Sequence, residues 1–130
     1  MAFILDTNIC SAHLRGRPDL FSRLIQYGGR LYVTTINVGE LMAWGYVSKQ
    51  PQMLQRIEEM LSDLQVLNYD RDAAEIFGRI RGQSIQQGTP VSAQDLMIAA
   101  IALQHDFTIV THNSKDFAQI PGVKLEDWLI

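Results

Sequence analysis

Four short β-rich runs, "FIL", "LYVTT", "QVLNY" and "FTIVT", recur along the chain with helical segments between each successive pair. That alternation constrains the fold more than any other feature. Neighbouring parallel strands need crossover connections, and helices supply them, so the pattern predicts a mostly parallel sheet with helices on both faces. The first strand covers Phe3 to Leu5, and the helix after it runs roughly from Thr7 to Leu14. Pro18 suits a first helical position, and Gly28-Gly29 stops the helix it opens. Further helices are expected from about Asn37 to Lys49 and after Pro51, where Met53, Ile57, Met60, Leu61 and Leu64 fall at helical spacing. Asp70 caps a helix that ends at Gln86-Gln87-Gly88, and Ser92 caps the one holding "LMIAAIAL". The tail "GVKLEDW" adds a short edge strand. In such sheets the first strand sits centrally, beside the strand entered after the topological switch. The carboxyl ends of "FIL" and "FTIVT" are therefore expected side by side.

At 130 residues, 47% hydrophobic and 19% charged, the chain reads as one globular α/β domain spanning 1–130. The lone cysteine, Cys10, excludes an intramolecular disulfide and fits a reducing compartment. No basic stretch precedes an apolar run at the N-terminus, and "LMIAAIAL" is too short to span a bilayer. A soluble, cytoplasmic protein is expected, with no membrane partner. The net charge of −3 argues against holding nucleic acid by bulk electrostatics. Basic residues do gather locally, with Arg15, Arg17, Arg23 and Arg30 in one stretch and Arg71, Arg79 and Arg81 in another.

Four acids follow strand ends or open helices on one predicted sheet edge. Asp6 ends the first strand, Glu40 and Asp95 lie in first turns, and Asp116 follows "IVT" with Asn113 between. Carboxylates converging there repel unless a cation neutralises them, and their hard oxygens suit Mg²⁺ or Mn²⁺. A structural reading stands beside this one. Glu40 lies three residues after Asn37 and Asp95 three after Ser92, the spacing of a cap residue with an acid at the third helical position. Taken jointly, the acids favour a divalent-metal site, because independent caps have no reason to share one edge.

"FILDTNI", "GELMAWGYVS", "DLMIAAIAL" and "IVTHNSKDF…IPGVKLEDW", in this order, resemble a PIN-domain ribonuclease, and more narrowly a VapC-type toxin of a type II toxin–antitoxin pair. The resemblance runs from residue 3 to residue 128. It implies a PIN-like fold and metal-dependent endonucleolytic hydrolysis of RNA. It makes Asp6, Glu40, Asp95 and Asp116 the catalytic acids, with Asp6 and Asp95 holding Mg²⁺ or Mn²⁺. Thr7, Thr111 and Asn113 would support them. Many PIN domains carry Asp where Asn113 stands, which leaves Asn113 and Asp116 as alternatives for the fourth site residue. The implied partners are the RNA substrate, a cognate antitoxin whose helix lies in an apolar groove, and a second copy of the chain.

Leu41, Met42, Ala43, Trp44, Tyr46 and Val47 surround nearly the whole circumference of one helix, so that helix is buried on every side or meets a partner. The antitoxin is expected to dock near Trp44. Cys10 reads as a buried structural thiol and His112 as an exposed loop residue; His13 and His105 lack metal-ligand spacing. Two rival classes begin similarly. A haloacid-dehalogenase-like phosphohydrolase needs a second acid two residues after the first, where this chain has Asn8. A receiver-like signalling domain carries an acidic doublet after the first strand, which "LDT" is not, and would need Asp70 to accept phosphate. A stable adduct with acetyl phosphate would favour either rival.

Overall fold

The computed structural model describes residues 1–130. Its five strands form one parallel sheet in the order β3-β2-β1-β4-β5. They are β1 (Phe3–Leu5), β2 (Leu31–Thr34), β3 (Gln65–Leu67), β4 (Thr108–Val110) and β5 (Lys124–Glu126). Seven helices connect them: α1 (Thr7–Leu14), α2 (Pro18–Gln26), α3 (Thr35–Val47), α4 (Met53–Ser62), α5 (Arg71–Gln87), α6 (Ala93–His105) and α7 (Ser114–Phe117). The strand order reverses between β1 and β4, which pair directly with Leu5 opposite Val110. The expected switch point is therefore present, and Asp6 and Thr111 stand next to each other at its carboxyl edge.

Side-chain alternation in β1 splits the core in two. Phe3 and Leu5 face α1, α2 and α4, in a cluster completed by Leu20, Val33, Leu41, Ile57 and Trp128. Phe3, Tyr27 and Trp128 form an aromatic corner, with ring centroids 4.7 to 5.4 Å apart. Ile4 points the other way, into a cluster with Ile109, Ile80, Phe117 and the buried residues of α6. Because α6 is buried over Leu96 and Ile98–Ala102, its N-terminal turn has little freedom to move relative to the sheet.

Local chemistry sets the boundaries. Gly88 takes the left-handed conformation (φ +67°) that closes α5, as a C-terminal glycine should. Gly45 lets α3 approach α4: a Cβ there would lie 2.6 Å from Leu54 Cδ2 and 2.9 Å from Ile57 Cδ1. The sequence places the start of α3 too late. Thr34 is the N-cap, and Asn37 lies in the first turn, closing a reciprocal capping box with Thr34. The α7 turn was not expected from sequence, since four residues carry no periodic signal.

Candidate active site

The site begins with Asp6, which is 5% exposed at the end of β1. It caps α1 by accepting from the Thr7 backbone N–H at 2.9 Å. Asp6 is thus an ordinary helix cap, but the carboxylate has more partners than a cap needs. Asn37 Nδ2 donates to the same oxygen, Oδ1, at 3.2 Å, and the Thr111 hydroxyl donates to Oδ2 at 2.8 Å. Three elements, α1, α3 and the end of β4, therefore aim uncharged donors at one buried acid. Burial pushes the Asp6 carboxyl above its usual range, and these three hydrogen bonds pull it back toward the ionised form.

Around Asp6 the supporting groups form a continuous network. Thr111 Oγ1 also accepts from the Asn113 backbone N–H at 2.9 Å and from Asn8 Nδ2 at 3.4 Å. Asn8 Oδ1 accepts from the His112 backbone N–H at 3.1 Å, which ties the loop after β4 to the first turn of α1. The Thr7 hydroxyl donates to Glu40 Oε1 at 2.6 Å and accepts from Asn37 Nδ2 at 3.2 Å. Glu40 therefore reaches the crevice from the sixth residue of α3 rather than from its first turn. That corrects the sequence reading of Glu40 as a helix-start acid paired with Asn37.

Asp95 has the helix-start geometry: its backbone N–H bonds Ser92 Oγ at 3.1 Å. Its carboxylate nevertheless looks into the same crevice, where Oδ2 accepts from Asn113 Nδ2 at 3.3 Å. The Asp95 carboxyl is pushed up to about 6, first by burial and then by the negative charge of Asp6. Ser92 opposes the rise, while Asp116 and Glu40 add to it. All four sequence-nominated acids thus share one electrostatic neighbourhood. Asp116 lies in the first turn of α7, and Asn113 is the residue capping that turn.

As placed, no three Asp, Glu, His or Cys side chains gather closely enough to hold an ion between them. The donors on Asp6 and the Thr7 bond to Glu40 satisfy these acids separately. The donor set still fits Mg²⁺ or Mn²⁺, which bind one or two carboxylates directly and keep several waters. Asp6 and Asp95 would supply such a pair, and the repulsion of Asp95 by the Asp6 charge is what a cation would relieve.

Two residues of this network, Asn37 and Asn8, were not nominated from sequence as site residues. The signal for Asn8 was its place directly after Asp6-Thr7; the signal for Asn37 was its position three residues after Thr34, a capping-box spacing. Other expectations resolve simply. Cys10 is buried, its thiol pushed up to about 12 by burial and by the charge of Asp6. His112 is an exposed loop residue, as expected, and its Nδ1 lies 2.9 Å from Asp127 Oδ2. Leu41 and Gly45 bury one side of α3, whereas Tyr46 and Val47 are 77% and 78% exposed. Trp44 is half-buried beneath the Arg15 guanidinium, so the helix is not buried all round. An apolar cavity of about 220 Å³ opens elsewhere, between α1, α2 and α4, lined by Ile9, Phe21, Leu24, Ile25 and Met60.

An open parallel sheet with acids converging at its switch point is the architecture of the PIN domain, whose family model matches residues 3–123; the chain belongs to that family. It is 35% identical over 130 residues to the "tRNA(fMet)-specific endonuclease VapC" of Salmonella typhimurium, with 98% of each chain covered. The crystal structure of DNA-bound VapBC from Salmonella typhimurium superposes with a TM-score of 0.94, at 35% identity and 98% coverage of both chains. A toxin–antitoxin complex from Klebsiella pneumoniae gives a TM-score of 0.73 at 29% identity, covering 95% of each. Within the PIN family, the chain groups with the VapC proteins. No helix is long and apolar enough to cross a membrane.

Proposed function

We propose that the protein is the toxin of a toxin–antitoxin pair: a Mg²⁺- or Mn²⁺-dependent endoribonuclease that hydrolyses RNA phosphodiester bonds in the cytoplasm and is silenced by a cognate antitoxin. The observation that carries the reading is the buried Asp6 carboxylate, held at the switch point by Thr111, Asn37 and the Thr7 N–H, with Asp95 turned into the same crevice through Asn113. A buried acid with a second, charge-perturbed acid beside it at a switch-point crevice marks a candidate functional site, and burial and the charges of Asp6, Asp116 and Glu40 push the Asp95 carboxyl up. The VapC names of full-length relatives at 35% and 31% identity support the same activity.

Asp6 and Asp95 would hold the ion. Bound there, it supplies charge neutralisation at the scissile phosphate and a more acidic water at neutral pH. The protein's own groups do the positioning. Thr111, Asn37 and the Thr7 N–H fix both oxygens of Asp6, so the carboxylate is oriented before substrate arrives. Thr7 anchors Glu40 through Oε1, leaving Oε2 as an acceptor that orients the attacking water. Asp116 shares that role from α7, and Asn113 holds Asp95 Oδ2 through its amide. In this scheme Asn113 and Asp116 are not alternatives: one positions an acid, and the other is an acid.

The antitoxin helix is assigned to the apolar cavity between α1, α2 and α4, flanked by Phe21 and Ile25, which are 54% and 66% exposed. This replaces the expectation of docking near Trp44. A second copy of the chain completes the assembly.

The test is cleavage of purified RNA with Mg²⁺ or Mn²⁺, with EDTA, and with Asp6→Asn or Asp95→Asn, the fold being checked by circular dichroism. Cleavage should need the metal and vanish in both variants. Activity that persists undiminished in EDTA would sink the mechanism.

A further inference from the structure

A cleft of about 540 Å³ lies where the C-terminal end of α1 meets α3 and α4. Its lining includes Arg15, Trp44, Ser48, Gln50 and Arg56, and no carboxylate. That is unusual on a chain with 14 acidic and 11 basic residues. Neither guanidinium takes part in any of the molecule's ion pairs, which join Arg17 to Asp19, Arg71 to Glu75, His112 to Asp127 and Lys124 to Asp106. Both are nevertheless held. The Arg15 guanidinium lies over the Trp44 ring, 5.4 Å from its centroid, and Arg56 Nη2 donates to the Leu14 carbonyl. Two fixed cations with unused donors, facing a polar cleft, form a site prepared for an anion.

Helix periodicity places this cleft relative to the acids. Thr7 and Glu40, which touch, mark the crevice end of the α1–α3 contact. Trp44 lies one turn beyond Glu40 on α3, and Arg15 two turns beyond Thr7 on α1, which by helix rise is about 6 to 12 Å away. The cleft therefore continues the crevice along the same pair of helices.

We propose that this cleft is a substrate subsite: Arg15 and Arg56 bind one backbone phosphate of the RNA strand, flanking the phosphate that is cleaved. The assignment rests on the ribonuclease reading. It explains how an acidic chain grips a polyanion: a bound ion would offset the charge of the carboxylates, and the paired arginines hold the strand beside them. Trp44 acts as the platform that fixes Arg15. Because the contact is to phosphate, it positions the strand without reading sequence.

The experiment measures binding of a short fluorescein-labelled single-stranded RNA to the Asp6→Asn protein across a salt series. Adding Arg15→Gln and Arg56→Gln together should raise Kd about tenfold or more and flatten the log–log salt dependence by roughly 0.7, the contribution of one single-strand phosphate contact. Lysines at both positions should restore most of that slope. In otherwise wild-type protein, the glutamine pair should raise KM more than it lowers kcat. Arg15→Gln alone, which removes no hydrogen bond of the folded chain, guards against a folding defect from loss of the Arg56 tie to Leu14. Unchanged Kd and slope in folded variants, while wild type cleaves RNA, would overturn the subsite and leave the nuclease intact. Unchanged RNA binding with lost antitoxin binding would reassign the cleft to the antitoxin. Wild type that neither binds nor cleaves RNA would remove both proposals together.

Discussion

Replacing Asp95 with Asn separates a helix-start acid from a member of a repelling cluster. The Asp95 carboxyl is raised from 3.8 to about 6, so its ionised form is disfavoured in the folded chain. At 1.36 kcal/mol per tenfold, that is a penalty of about 3 kcal/mol. Asp95 is only half-buried, and solvent screening reduces the penalty to about 1.5 kcal/mol. The sign follows from proton binding. Between pH 4 and about 6 the native state holds the proton that the unfolded chain has released, so this residue lowers stability as pH rises through that window. Above it the penalty is complete; below it, absent. Asn imitates the neutral acid and removes the penalty, while forfeiting a helix-dipole interaction of about 0.3–1 kcal/mol. Metal-free Asp95→Asn at pH 7.5 should therefore be more stable by about 0.5–1 kcal/mol, a rise of about 2–5 °C in Tm for a chain of this size. The advantage should disappear below pH 4. Excess Mg²⁺, at about a hundredfold over Kd, should stabilise wild type by about 2.7 kcal/mol and the variant far less. Four melting curves decide it: both proteins, each in EDTA and in Mg²⁺. A variant that melts below wild type in EDTA and gains equally from Mg²⁺ would refute the cluster and leave Asp95 a helix-start acid.

Thr111→Val strips the buried Asp6 Oδ2 of its donor and leaves the half-buried Asn113 N–H without its acceptor, so it should cost about 1–3 kcal/mol. Metal affinity, measured by Mg²⁺-dependent stabilisation, should fall about 10–100-fold, and Thr111→Ser should restore it; an unaffected Thr111→Val would show that Asp6 needs no such support. Phe21→Ala and Ile25→Glu, both on exposed positions beside the apolar cavity, should weaken antitoxin binding by about 2 kcal/mol or more in a calorimetric titration while leaving RNA cleavage by the isolated protein intact. Unchanged antitoxin affinity in both would move the antitoxin off this groove.

The architecture was legible in the sequence because it is written in local chemistry. Runs such as "FIL" and "FTIVT" declare buried strands, Asp70 and Ser92 cap α5 and α6 as read, and Gly88 ends α5 where a left-handed residue is needed. From that alternation the switch point between β1 and β4 follows, and with it the edge on which Asp6, Glu40, Asp95 and Asp116 stand. What the chain could not declare is which groups meet across that edge. Asn37 donates to Asp6 from 31 positions away, and Thr111 from 105 positions away. Asn37 is equally good chemistry for a helix start, and only the register of α3 against α1 makes it a partner of a buried acid. The same holds for the paired arginines. In the sequence Arg15 stands out as one of a loose run of basic residues and a candidate for a basic rim, Arg56 not at all, and the two face one cleft only because α1, α3 and α4 pack with their ends together. Local propensity depends on near neighbours and is carried by the sequence itself. A site depends on desolvation and on charges brought together through space, and those exist only once the chain has folded.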